Sequence, residues 1–389
     1  MCEQVAFAPY QKKIDKLAPL IAAHADEAEA QRHLSAEVAK AMVQAGLFRI
    51  AVPADVGGSE EHAVTQVQCI EAVSRIHGSA GWNLMIGIEV MGVLCGQFDQ
   101  SLVESLLADQ EMIISGSLNP LGKAVREGDG YRISGQWPFA SGIHNAKFFW
   151  GQNIVHVDGE RLRDEHGVVL CEALVPCDQI EILDTWHVSG MRGSGSHDVR
   201  IDEVFVPDTF ISHVQRDKPS ATGTLFRLPL YSRLAFNKVG VATGIAQAAI
   251  DHFVSLASEK KPRGSRQLLR ERPDAQLAVA QAERILGSAR SYAMEQICVM
   301  WDTVACGDEP TTRQKALLQL ACSGAADEAV KAVEVVYSAA GASANFESSP
   351  LSRCMRDVPV VRQHITVSPQ FTNAVGRVLL GMDSETPFF

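Results

Sequence analysis

Four long helical periods close this chain, at Val239–Ala257, Ala275–Val304, Thr311–Ala340 and Val358–Leu380. The first three are rich in alanine, and helices of this length with apolar faces do not stand alone in water, so the four must lie against one another as a bundle. Alanine-rich faces let helices approach closely, which also suits oligomerisation through the bundle. What precedes the bundle is of two kinds. The first third reads as helices. Ile14, Leu17, Leu20 and Ile21 mark one apolar face, Ser35 suits an N-cap, and Gly46 suits the left-handed stop of the helix between them. Further helices are expected from Ala63 to about His77 and from Trp82 to about Phe98, after a loop at Pro53–Gly58. The middle third turns to strands around Ile154–Val157, Val168–Leu174 and Val199–Val206, punctuated by Asp/Gly turns. No helix-length crossover separates these strands, so a doubly wound parallel sheet is not expected. The chain therefore divides into an N-terminal helical domain (1–111), a central β-barrel-like domain (112–222) and a C-terminal four-helix bundle (223–389), an α+β arrangement with Arg216–Thr224 as linker.

Composition removes several function classes. Lys plus Arg number 35 against 46 Asp plus Glu, a net charge of −11, so the basic footprint of nucleic-acid binding is missing. Nine cysteines, an odd number with no CxxC, point to a reducing cytosol rather than a disulfide framework. The N-terminus has no basic-then-apolar signal, and the apolar run Leu84–Phe98 is shorter than the roughly 20 residues that span a bilayer. A cytoplasmic protein without a membrane partner is the expectation. There is no P-loop, no nucleophile elbow and no H-E-x-x-H, and His24 and His33 are too far apart for a helical metal pair, so no metal site is expected. Gly190-Met-Arg-Gly-Ser-Gly195 is not a dinucleotide fingerprint and precedes a strand. Glu89 is the only acidic or basic side chain between Trp82 and Phe98. Such a carboxylate must be paired, protonated or facing a polar cavity.

Three motifs sharpen the domain pattern: Gly135-Gln-Trp137-Pro-Phe139-Ala-Ser141-Gly142, Asp184-Thr-Trp-His187 through Gly190-Met-Arg192-Gly-Ser194-Gly-Ser196, and Arg353-Cys-Met-Arg356-Asp357 followed by His364. Together they resemble the acyl-CoA dehydrogenase superfamily over nearly the whole chain, and within it the flavin-dependent monooxygenase branch, the oxygenase components of two-component systems. Dehydrogenases of the commonest type carry a catalytic Glu where this chain has Ser348, with Glu347 one residue earlier. The R-D-x-x-x-x-x-x-H run ending at His364 matches the monooxygenase branch instead.

The resemblance implies reduced FMN or FAD supplied by a separate NAD(P)H:flavin reductase, a C4a-hydroperoxide formed with oxygen, a small aromatic or heteroatom-bearing substrate, and a homotetramer. It implies Ser141 as the hydroxyl near flavin N5, His364 as acid/base, and Glu89 or Val90 where relatives often place a His. Trp137 and Phe139 would wall the ring. Arg192, Ser194 and Ser196 would cradle a phosphate, and Arg263 a flavin phosphate of a neighbouring subunit. His144 is a candidate to face substrate, Trp82 reads as packing core, and Arg356–Asp357 as an ion pair orienting the His364 helix. The alternatives are a dehydrogenase or oxidase with Glu347 or Glu89 as base, or a non-catalytic member of the fold.

Overall fold

A computed structural model describes residues 7–217 and 219–386. Six helices come first: α1 (Ala8–Ala23), α2 (Ala25–Gln31), α3 (Ala36–Gln44), α4 (Ala63–Ile76), α5 (Gly78–Cys95) and α6 (Gln100–Leu107). Ser35 caps α3 by accepting from the Val38 N–H at 3.4 Å, and Gly46 leaves it at φ +78°. The sheet follows, with β1 (Ile114–Glu127), β2 (Gly130–Trp137), β3 (Phe148–Val157), β4 (Leu170–Pro176), β5 (Glu181–Leu183), β6 (Asp198–Pro207) and β7 (Ile211–Ser212). Their spatial order is β7-β4-β3-β1-β2-β6-β5, antiparallel except for β1 beside β3. The chain passes between that parallel pair through β2 and a turn, with no helix crossing over.

The last part is helical again: α7 (Thr224–Arg227), α8 (Leu230–Glu259), α9 (Pro273–Ala305), α10 (Thr312–Ala340), α11 (Pro350–Arg362) and α12 (Phe371–Leu379). Thr311 and Gln314 form a reciprocal capping box at the start of α10. One apolar core runs through the N-terminal helices and the bundle, from Phe48 and Leu84 to Val239 and Val330. A smaller one, built on Ile133, Trp137, Phe149 and Val199, lies within the sheet.

Two expectations need correction. The single helix expected over Val358–Leu380 is broken: α11 ends at Arg362, a 3-10 turn spans Ile365–Val367, and α12 starts at Phe371. Pro369 forbids the helical conformation at Ser368, which stands extended at ψ 141°, and His364 caps the short turn. Second, α5 and α8 are both long and apolar enough to cross a bilayer by length and composition, contrary to the short span read from Leu84–Phe98. Their apolar windows are 94% and 67% buried inside the protein, as in core helices. Cys298 is disulfide-bonded, which the odd cysteine count did not announce.

The two core helices run antiparallel. Ile245 of α8 lies at Gly78 of α5, Arg233 at Gly92, and Phe226, just before α8, at Gly96. A Cβ on Gly92 would come within 3.2 Å of the Arg233 guanidinium, and one on Gly96 within 2.9 Å of the Phe226 ring. The missing side chains let α8 close onto α5. This long contact holds one wall of the site described next.

Candidate active site

The site grows from the loop after β2. Phe139 takes φ +63°, a conformation that costs a residue with a Cβ about 1 kcal/mol or more, and Gly142 follows at φ +75°. The reversed chain is pinned on three sides. Ala140 N–H donates to His197 O at 3.0 Å, Gly142 N–H to Ser194 O at 3.0 Å, and Ser115 Oγ to Ser141 O at 2.9 Å. Ser141 is thereby held buried with its hydroxyl aimed at α5. Its Oγ accepts from Trp82 Nε1 at 3.0 Å and lies 2.7 Å from Ser196 Oγ, which lies 2.7 Å from Ser194 Oγ. Trp82 is thus no mere packing residue: its indole bridges the β2 loop to the bundle.

The same indole meets His364 edge-on, ring centroids 5.7 Å apart at 66°. His364 owes its position to the broken helix. Its Nδ1 accepts from the Thr366 N–H at 3.3 Å and lies 2.9 Å from Thr366 Oγ1. Thr366 is fixed in turn, its Oγ1 lying 3.3 Å from Leu234 O on α8 and its carbonyl accepting from Gln319 Nε2 on α10 at 2.6 Å. With Nδ1 occupied as an acceptor, the neutral ring carries its proton on Nε2. Burial, and then the positive charge of Lys238, hold the imidazole well below its ordinary pKa. At neutral pH His364 therefore offers an N–H donor, not an imidazolium.

Lys238 was not anticipated. It is the only charged residue between Leu234 and Ile250 of α8, and it donates to Glu89 Oε2 with both side chains almost wholly buried. Burial pushes the Glu89 carboxyl up to about 7 although Lys238 pulls it down, and burial lowers the Lys238 ammonium. Two solitary charges on facing apolar helices was the signal that sequence reasoning missed.

The remaining candidates scatter. Trp137 is fully buried, donates to Gln152 O at 2.8 Å and meets Phe149 edge-on; it belongs to the sheet core and walls no open site. Phe139 is the reverse, 60% exposed, with Trp186 edge-on at 6.2 Å. Ser194 and Ser196 join the Ser141 hydroxyl chain. Arg192 leaves its buried Nε without a partner among the described residues. At Gly190 a Cβ would sit 1.9 Å from Arg356 O, so that glycine permits close backbone packing rather than opening a cradle. Arg263 is exposed in the α8–α9 loop. It lies past the end of α8, roughly 30 Å of helix beyond Lys238, so a single chain does not bring it to the site. His144 stacks on His33 at 4.3 Å and edges His197 at 5.0 Å, and burial pulls it down to about 4. Arg356 and Asp357 do not pair. Arg356 reaches Glu29, Ser352 and Ser189 O, whereas Asp357 accepts from the Met191 N–H at 2.6 Å. Glu347 is exposed.

Known proteins resemble this chain along nearly its whole length. Residues 15–97 match the family model for the acyl-CoA dehydrogenase N-terminal domain, and residues 238–369 that for the acyl-CoA dehydrogenase C-terminal domain. An indole-3-acetate monooxygenase of Pseudomonas putida is 30% identical over 91% of this chain and 89% of its own. The HsaA oxygenase subunit of a flavin-dependent monooxygenase from Mycobacterium tuberculosis is 26% identical over 92% and 91%. Among solved structures, XiaF from a Streptomyces species, in complex with FADH2 and glycerol, superposes with a TM-score of 0.90 at 22% identity, over 98% of this chain and 97% of that one. The loop that fixes Ser141, the break that frees His364 and the long α5–α8 contact thus sit in a chain that belongs to the acyl-CoA dehydrogenase superfamily, in its flavin-dependent monooxygenase branch.

Proposed function

We propose that the chain receives reduced FMN or FADH2 from a separate reductase and, with dioxygen, adds one oxygen atom to an aromatic ring or heteroatom of a small molecule. The observation that carries this reading is the line Ser196–Ser141–Trp82–His364, which joins sheet loop to bundle with hydrogen-bonding groups and contains no carboxylate base. An acyl-CoA dehydrogenase needs such a base. Of the two alternatives, Glu89 is engaged by Lys238 and Glu347 is exposed.

The residues fit a flavin. Phe139, two residues before Ser141 in the same loop, offers an exposed aromatic face, and the orphaned Arg192 Nε suits an anionic tail. A reduced flavin bound there supplies the electrons that activate dioxygen. Ser141 then serves as the hydroxyl at the ring edge, fixed by Trp82 and Ser196. His364 presents its Nε2–H from the bundle side, where it donates to oxygen on the substrate or in the cleft. The apolar flank of α5, with Leu84, Met85 and Ile88 fully buried behind it, keeps water out.

The test is to mix the reduced flavin–protein complex with 18O-labelled dioxygen and a panel of phenols, indoles and thiophenes. One labelled oxygen atom in product is the expected result. No binding of either reduced flavin at micromolar concentration would remove the reading. In the same assay Ser141→Ala should move the yield from product toward hydrogen peroxide, and an unchanged ratio counts against the ring-edge role. We also place the protein in the cytoplasm as a homotetramer. A cleft of about 510 Å³ between α9 and α10, lined by Ile285, Ala289, Tyr292 and Ala321, supports assembly through the bundle. Sedimentation as a monomer would rule that out.

A further inference from the structure

Three hydroxyls stand in a row behind the β2 loop. Ser194 Oγ lies 2.7 Å from Ser196 Oγ, which lies 2.7 Å from Ser141 Oγ, and the row ends on the Trp82 indole, which donates to Ser141 at 3.0 Å. The sequence Ser-Gly-Ser makes this spacing possible. Gly195 turns the chain at φ +59°, and a Cβ there would come within 2.9 Å of His33 Cβ. A hydroxyl has one proton to give and two lone pairs to accept with, whereas an indole N–H only gives. Ser141 therefore spends one lone pair on Trp82, and the two bonds of the row can be made in three ways. If Ser141 gives to Ser196, the proton left over is on Ser194 or on Ser196. Those two residues are 1% and 3% exposed, and neither hydroxyl has a further partner among the described residues. A donor sealed in that way is costly. If Ser194 gives to Ser196 and Ser196 to Ser141, the spare proton is the one on Ser141. Ser141 lines a cavity of about 10 Å³ with Asn83, Ile86, Gly142 and Asn145, which Ser194 and Ser196 do not line. There a bound molecule can accept from it.

We propose that Ser194 and Ser196 are positioning residues that turn the Ser141 proton outward, so that Ser141 meets a bound molecule only as a hydrogen-bond donor. This rests on the monooxygenase reading above and deepens it. With both lone pairs filled, Ser141 Oγ does not accept from an N–H or O–H placed against it; it matches a lone pair on nitrogen or oxygen. The row reinforces itself, because each hydroxyl that accepts becomes a better donor to the next. His364, neutral and with Nδ1 occupied, likewise offers only an N–H. One donor thus comes from the sheet loop and one from the bundle, an arrangement suited to negative charge that develops on oxygen. Ser194, whose hydroxyl bonds neither Trp82 nor Ser141, acts from two hydroxyls away.

Neutron diffraction from flavin-free crystals exchanged into heavy water tests the orientation directly. Deuterium on Ser194 should point to Ser196, that on Ser196 to Ser141, and that on Ser141 away from Ser196. A Ser141 deuterium lying on the line to Ser196 Oγ overturns the proposal. The consequence is read in turnover with reduced FMN, dioxygen and the panel of phenols, indoles and thiophenes, with peroxide measured alongside. Ser194→Ala removes the first donor of the row, frees Ser196 to turn, and should lower the ratio of product to peroxide about threefold, within the worth of one net hydrogen bond. Ser194→Cys, close in shape and a weak donor, should fall between the two. An unchanged ratio in Ser194→Ala, or a Cys variant no better than Ala, also overturns the proposal. Should Ser194→Ala fail to fold by circular dichroism, the neutron map and Ser194→Cys still decide. Failure to bind reduced FMN sinks the monooxygenase reading instead, and the flavin-free neutron map judges the orientation separately.

Discussion

Lys238→Met should destabilise the protein by about 3–5 kcal/mol at pH 8, because it strands the Glu89 carboxylate between α5 and α8. The double variant Lys238→Met/Glu89→Gln should recover most of the loss, since neither charge then remains to be buried. The penalty has a sign with pH. Burial already raises Glu89 to about 7, and removing Lys238 takes away the largest influence holding it down. A carboxyl whose folded pKa lies above its unfolded value near 4.5 is harmless below the unfolded value, and its cost grows as pH rises through the folded one. Urea denaturation at pH 5 and pH 8 reads this directly. The loss should be small at the lower pH and full at the higher. Equal losses at both, or no rescue in the double variant, would show that the pair does not act as a buried ion pair.

His364→Ala should reduce product formation by about 10²–10³-fold, the usual cost of deleting one positioned donor from a catalytic site. Reduced-flavin affinity should hardly change, because the side chain faces Trp82 and α8 rather than the β2 loop. His364→Gln keeps an N–H donor and should restore part of the rate. Since burial and Lys238 keep the imidazole neutral well below its ordinary pKa, product formation should show no fall near pH 6.5 as the medium is acidified. Steady-state turnover with peroxide measured alongside gives the answer; a fully active Ala variant would take His364 out of the chemistry.

The architecture was readable because periodicity changes sharply along the chain. Helical faces before residue 107 and after 223, with turn-bounded strands between, are local signals that packing did not override. Ser141 and His364 were nominated by motif, and the structure brings both to Trp82. Their partners were hidden for physical reasons. Trp82 looks like any aromatic in an apolar helix, and only a contact 59 positions away in sequence gives its N–H an acceptor. Lys238 is 149 positions from Glu89. Trp137 misled because an aromatic next to a site motif can serve either the site or the sheet, and β alternation turned this one inward. The helix break was foreshadowed by Pro369, yet the apolar residues on both sides of it, Val358–Val361 and Val375–Leu380, let the two helices read as one.

That break couples the His364 turn to the bundle. Because Thr366 ties the His364 turn to Leu234 on one helix and Gln319 on another, the imidazole takes its bearing from two rods at once. Sliding either rod along its axis would drag the ring with it. Substitutions distant from the cleft that alter how those rods mesh, including ones at a subunit contact, are therefore a route by which oxygen-transfer efficiency can be tuned without touching a single group that meets the substrate.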